Sequence, residues 1–298
     1  MEKRKGPAMT STAIVTDSTA YLPKEKAEKN GITVLPLHVI FDGQAFQEEV
    51  ELSTEAFYEK LRTTSNMPTT SQPAPGLFIE TFETLVRQYD AVIVITLSSG
   101  ISGTFQTASA AGEEVEGLDV YVFDSEISCM PQGYFALEAA AMSRAGEHPE
   151  TILKRLDKMK QRTRAYFIVD DLNHLHRGGR LNGAQALVGS LLQIKPILHF
   201  DDRLIVPFEK VRTEKKAWNR VLQLFDEDAR SGEPVRATVI HANRPEKAEE
   251  LREHLAETYP NVEVDTGWFG PVIGTHLGEG GLGIGWCRLP SESCLLSQ

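Results

Sequence analysis

At 298 residues with 41% apolar and 24% charged side chains, the chain is long enough for two ordinary domains or one large α/β domain, and its composition opposes disorder. A formal charge of -11 works against nonspecific attraction to nucleic acid or to an anionic membrane surface. Three cysteines, Cys129, Cys287 and Cys294, have neither the density of a secreted disulfide scaffold nor metal-ligand spacing, which points to a reducing cytoplasm. The basic start, Met1 to Ala13, lacks the apolar core of a signal peptide and reads as a loose leader outside the fold, and no apolar run reaches the roughly 18 residues of a membrane span.

Ala13 to Thr16 reads as a short strand ending in Asp17-Ser18-Thr19, and Pro23 to Lys29 as a helix closed by Asn30-Gly31. Residues 32–41 are β-rich and meet Asp42-Gly43, a strong hairpin pair. Ser53 can cap a helix running to about Arg62, the polar stretch 63–76 reads as a loop with three prolines, and Pro75 opens a helix to about Gln88. A strand at 91–97, a helix at 104–114, a strand at 119–123 ending at Asp124-Ser125 and a helix at 131–144 follow. Strands alternating with helices imply a mostly parallel, doubly wound sheet covered on both faces.

Gly146 to Pro149 breaks the pattern. Beyond it come a helix at 150–161, a strand at 165–169, the loop Arg177-Gly178-Gly179-Arg180, a helix at 183–192 and a hairpin-like pair around Asp201-Asp202-Arg203. A helix at 213–229, a strand at 236–241, a helix at 245–258, a strand at 262–266 and a glycine-rich end complete the chain. The expected architecture is α/β with two lobes, 13–150 and 151–290, and a cleft between them.

The most informative feature is the apolar run Ala91 to Leu97 emptying into Ser98-Ser99-Gly100-Ile101-Ser102-Gly103-Thr104 and then a helix. Glycines let a ligand approach the backbone, hydroxyls and free amides point at it, and the helix start adds partial positive charge, so this is a receptor for a small, oxygen-rich, anionic group or else a plain helix-capping turn. Further polar residues cluster at expected loops: Asp17 to Thr19, Thr70-Ser71-Gln72-Pro73, Asp124-Ser125, Arg177 to Arg180 and Gly274-Thr275-His276. The strand ends at Thr16, Leu97 and Phe123 fall on one sheet edge, where ligands bind in such folds. Asp17 and Asp124 can serve there as caps or as ligand contacts.

The 98–104 loop lacks the Gly-Lys-Ser/Thr of a nucleotide-binding loop and the glycine spacing of a dinucleotide fingerprint, and Thr104 stands where a nucleophile elbow needs glycine. His174 and His176 are badly spaced for a helical zinc pair, so no metal and no cofactor is expected.

These pieces, taken in order, resemble the DegV family of bacterial lipid-binding proteins, which includes the fatty-acid carrier subunits of the fatty acid kinase system. The resemblance covers about Ile14 to Trp286: Val-Thr-Asp-Ser-Thr at 15–19, Thr-Ser-Gln-Pro at 70–73, the 98–104 loop, Asp-Ser at 124–125 with Ser128 and Gly133 beyond, Gly-Gly-Arg at 178–180, Lys-Pro at 195–196, Lys-Val-Arg-Thr at 210–213 and Gly-Thr-His at 274–276. It implies a long-chain fatty acid in a tunnel between the lobes, its carboxylate held by Thr70, Ser98, Ser99 and His276, with Arg177 and Arg180 near the head-group entrance and the kinase contact. It further implies a carrier without its own catalytic site that serves phospholipid synthesis with a kinase subunit and touches membrane surfaces transiently. Glu279, where the family commonly has proline, and Cys129-Met130-Pro131, where smaller residues are frequent, depart from the pattern and bear on ligand identity.

The tail of a sixteen- to eighteen-carbon acid has roughly 14 to 16 methylenes, worth on the order of 11 to 13 kcal/mol against water. Against a bilayer the tail is worth almost nothing, so head-group bonds decide extraction. The same residues leave two other readings: an acyl hydrolase or transferase using Ser98 or Ser102 with His276 as base, and a regulatory protein binding a sugar or small acid.

Overall fold

The computed structural model describes residues 11–182 and 194–297; the helix expected at 183–192 lies outside them. The first half runs β1 (Thr12–Asp17), α1 (Lys24–Lys29), β2 (Ile32–Leu35), β3 (His38–Phe41), β4 (Gln44–Gln47), α2 (Thr54–Thr63), β5 (Thr69–Ser71), α3 (Pro75–Leu85), β6 (Ala91–Thr96), α4 (Thr104–Glu113), β7 (Asp119–Asp124) and α5 (Met130–Arg144). Then come α6 (Pro149–Lys160), β8 (Thr163–Ile168), α7 (Asn173–Arg177), β9 (Ile197–Asp201), β10 (Leu204–Glu209), α8 (Glu214–Ala229), β11 (Val235–His241), α9 (Pro245–Thr258), β12 (Val262–Trp268), α10 (Pro271–Leu277) and β13 (Leu282–Arg288).

Because β1 and β6 are buried along their whole length, they sit centrally in a parallel sheet of order β2-β1-β6-β7, as continuous apolar runs require. The leader is shorter than expected: Thr12 and Ala13 pair with Ala91 and Val92, so both belong to β1. The β-rich stretch 32–41 splits at Pro36, which cannot donate to a ladder, and β3 turns away into a small antiparallel sheet of order β4-β3-β5. Asp42 and Gly43 make its turn at φ +49° and +83°. The proline-rich stretch expected as loop contains β5, whose Thr70 pairs with Val39.

The second half builds a mixed sheet of order β10-β9-β8-β13-β11-β12, in which β11 and β12 pair in parallel and the other neighbours are antiparallel. The glycine-rich end, left without an element in the sequence, is extended. It forms β13, where Gly283 and Gly285 leave room for Phe167 and for Pro131 of α5; a Cβ would come within 2.9 Å of Phe167 Cβ and 2.3 Å of Pro131 Cγ. Between the two large sheets runs α5, buried nearly all round and packed against β1 and β6 as well as β11 and β13. Its Tyr134 hydroxyl bonds the Thr238 hydroxyl, and its Glu138 carboxylate accepts from Ser293 Oγ, Cys294 N and Leu295 N at 2.9, 3.0 and 2.9 Å, pinning the C-terminal turn.

Candidate functional site

Gly274-Thr275-His276, expected at a loop, lies in the short helix α10, which delivers His276. Pro271 opens it, and its first free N–H groups are met by side chains from the other half of the chain: Val272 N donates to Glu48 Oε2 at 2.9 Å and Ile273 N to Tyr21 Oη at 3.2 Å. Glu48 also accepts from Ser18 Oγ at 2.5 Å and Tyr21 Oη at 3.1 Å. Burial pushes this carboxyl up to about 8, against the donors around it, which favour the ionised form. Tyr58 of α2 donates to Phe269 O at 2.7 Å, and Gly274 lets α2 approach, since a Cβ there would meet Phe57 Cε1 at 2.7 Å.

His276 Nε2 lies 2.8 Å from Thr70 Oγ1. Thr69 and Thr70 alternate across β5, with Thr69 and Ser71 exposed and Thr70 turned inward. Burial, then the nearby Arg180 and His174, lower His276 to about 4, so the ring is neutral and offers one donor and one acceptor. Gly178 makes room for the ring: a Cβ there would sit 2.5 Å from His276 Nδ1. Arg180 is tethered by Nε to Ile101 O at 3.2 Å and by Nη1 to Gly178 O at 2.6 Å.

Thr70, Ser71, Gln72, Ser102, Arg180 and His276 line part of a cavity of about 280 Å³ that is otherwise mainly apolar. Its greasy lining comes from both sheets and the elements joining them, among them Leu37, Leu97, Phe167, Phe200, Ile240 and Val272. Cys129, at φ +62°, and Ser128 lie at its edge where α5 begins. Burial pushes the Cys129 thiol up to about 12, so it acts as an apolar wall group rather than as a nucleophile.

The expected head-group set is only partly brought together. Thr70, His276 and Arg180 converge on the cavity. Ser98 and Ser99 are not among its lining residues. The buried Ser98 hydroxyl donates to Arg203 O at 2.6 Å, and Gly100 lies so close to the same carbonyl that a Cβ would come within 2.4 Å of it; the first half of the loop is a seat for the β9–β10 turn. Ser99 N bonds Asp124 Oδ1 at 3.1 Å. The second half of the loop, Ile101 to Gly103, faces the cavity instead. Arg177 is exposed at the end of α7, with Nη1 3.8 Å from Met67 Sδ, and lies off the cavity lining. Asp17 and Asp124 act as caps: Asp17 accepts from Leu97 N at 2.7 Å and Thr19 N at 3.0 Å.

Neither serine of the hydrolase reading bonds His276: Ser98 is committed to Arg203, and Ser102 Oγ lies 2.9 Å from Thr104 Oγ1. Gln72, cavity-lining but not singled out as a contact, has its amide bonded to the Thr107 hydroxyl and packed over Gly103. Glu279, the departure from the family pattern, pairs with Arg62 Nε at 2.9 Å and Asn243 Nδ2 at 2.7 Å, tying α2 to the turn after α10. Among the described residues no group of three His, Cys, Asp or Glu could hold a metal, and no helix is long and apolar enough to cross a membrane.

A family model described as "Uncharacterised protein, DegV family" matches residues 11–289. A DegV domain-containing protein of Halalkalibacterium halodurans is 58% identical over 279 residues, 93% of this chain and 99% of that protein. Among solved structures, DegV of Bacillus subtilis, described as a fatty acid binding protein, is 56% identical with a TM-score of 0.90 over 94% of this chain and 99% of its own. A fatty acid binding DegV family protein of Streptococcus agalactiae is 34% identical with a TM-score of 0.87, over 94% of this chain and all (100%) of its own.

Proposed function

The chain belongs to the DegV family, and on that footing we propose that it is a carrier without catalytic chemistry of its own: it buries the tail of a long-chain fatty acid in the cavity and presents the carboxylate at the Thr70–His276 end. A separate fatty acid kinase then phosphorylates that carboxylate, and the carrier moves the acyl phosphate toward phospholipid synthesis, working in the cytoplasm with brief visits to membrane surfaces. The carrying observation is a mainly hydrocarbon-lined cavity into whose wall the hydrogen-bonded Thr70–His276 pair and Arg180 are set.

Physical chemistry supports the assignment of roles. A carboxylate taken from water without partners is prohibitively costly, whereas each charge-assisted hydrogen bond returns about 1.5–3 kcal/mol. Thr70 Oγ1 and His276 Nε2 bond each other, so with a neutral ring the pair keeps one proton to donate to a carboxylate, and Arg180, tethered by two carbonyls, supplies the compensating positive charge. We place the boundary of the two lobes near 150, with the cavity between them.

Extraction of the purified protein with organic solvent followed by mass spectrometry tests the reading; co-purifying long-chain fatty acid is expected. A protein consistently free of acyl lipid and unable to bind one overturns it, and so does turnover of an acyl ester by the protein alone.

A further inference from the structure

A second cavity of about 360 Å³ adjoins the first and is lined by polar groups including Lys160, Arg164, His199 and Asp201. Among the described residues, Ala165, Tyr166 and Phe200 alone line both. None of Thr70, Ser71, Gln72, Arg180 and His276 lines the second cavity, so the partition meets the tail of an occupant rather than its head.

Two of the three partition residues are fixed by the sheet. Ala165 and Tyr166 pair with Gly285 and Ile284 of β13, and the Tyr166 ring stacks on His199 with centroids 5.8 Å apart. Phe200 is held differently. It stands next to last in β9, past the point where β9 leaves β8, since the β8 ladder covers Leu198 and His199 only. It retains one strand neighbour, Ile205 of β10, and a loose ring contact to Phe167 at 6.3 Å; both neighbours line the first cavity. The ring packs against the hydrophobic clusters of both halves of the chain, so its rotamer is set by side-chain packing rather than by a strand ladder on both sides.

Resting on the fatty-acid reading above, we propose that the Phe200 ring closes the tail end of the cavity and so sets the longest acyl chain the protein takes. Each methylene sealed in hydrocarbon surroundings strengthens binding about fourfold. A methylene driven past Phe200 enters the polar cavity beside Lys160, Arg164 and Asp201 and gains nothing. Affinity therefore rises with chain length up to the ring and then levels off.

The test is displacement of a fluorescent fatty acid from the delipidated full chain by saturated acids from about 12 to about 24 carbons. Phe200→Ala is expected to move the levelling point up by about two carbons and to tighten the longest acids about 10- to 20-fold. Phe200→Trp moves it down. The shortest acids keep their affinity in both variants, which shows the fold and head site intact. A levelling point identical in both variants and the wild type, with short acids still bound, overturns the role of Phe200 and leaves the carrier reading standing. Should Phe200→Ala lose short acids too, Phe200→Trp decides, and an unmoved levelling point in that variant overturns the proposal. A wild-type chain that binds no acid of any length overturns both.

Discussion

Gly178 and Gly179 are adjacent glycines for which alanine has opposite expected consequences. Gly178 sits at φ -69° and ψ -11°, a conformation any residue adopts, so alanine there removes unfolded-chain freedom worth about 0.4–1 kcal/mol and strains nothing in the backbone. Its Cβ, however, would lie 2.5 Å from His276 Nδ1 and 3.0 Å from His174 O. The imidazole has to retreat by about 1 Å to restore van der Waals separation, which stretches the 2.8 Å bond to Thr70 past hydrogen-bonding range. On the fatty-acid reading the same retreat carries the ring and its partner off the bound carboxylate, and losing that one charge-assisted bond costs about 1.5–3 kcal/mol, or roughly 10- to 150-fold in affinity. Gly179, at φ +70° and with nothing within 4 Å of where a Cβ would stand, gives the reverse: alanine there costs about 1–2 kcal/mol of stability and leaves His276 in place. Titration with a fluorescent fatty acid, paired with thermal denaturation of the lipid-free protein, separates the two. Gly178→Ala should bind weakly and melt near the wild-type temperature, whereas Gly179→Ala should melt early and bind normally. Wild-type affinity in Gly178→Ala would refute the assignment of His276 to the head group.

Thr70→Val keeps the shape of the side chain but strands His276 Nε2, and should weaken fatty-acid binding about tenfold in the same titration, with Thr70→Ser within about threefold of wild type. Glu48, raised by burial to about 8 from an ordinary 4.5, binds a proton in the folded chain that the unfolded chain has lost, so its stabilising contribution is complete below about pH 4.5 and declines as pH rises through about 8. Denaturant midpoints across that window should fall for the wild type relative to Glu48→Gln, which cannot titrate; equal slopes would show that the cage does not hold a proton. Glu138→Ala removes three hydrogen bonds to the C-terminal turn and leaves Arg155 without its nearest buried carboxylate, for an expected loss of about 2–4 kcal/mol in denaturation and earlier proteolytic clipping after Pro290.

Much of the parallel half is legible in the chain because its signals are local. A short, β-branched, mainly apolar run entering Ser-Ser-Gly reads as a buried strand ending at a ligand-bearing or capping loop, and Asp42-Gly43 carries its own turn geometry. The second half hides its elements in glycine: no element is read for β13, and Gly274 to His276 of α10 is read as loop, because Gly283 and Gly285 make room for Phe167 and Pro131, and Gly274 for Phe57, partners remote in the chain. The site divides in the same way. Ordered motifs single out Thr70, His276 and Arg180, which line the cavity, but whether Ser98 or Ser102 faces inward depends on a carbonyl at Arg203, 105 residues from Ser98, that no local pattern reveals. The hydrocarbon lining is the least legible part, since Phe200 or Ile240 has the same composition signal as any core residue; Ile101, an apolar residue inside a polar loop, is the one local hint.

The helix threaded between the two large sheets also decides how the protein comes apart. With α5 touching β1 and β6 as well as β11 and β13, and with its buried Glu138 gripping the tail of the chain, severing the sequence near 150 would strip the carboxyl-terminal fragment of a wall and the amino-terminal fragment of its cover. The two sheets are thus expected to melt together, in a single sharp transition with coincident spectroscopic and calorimetric traces rather than in two steps.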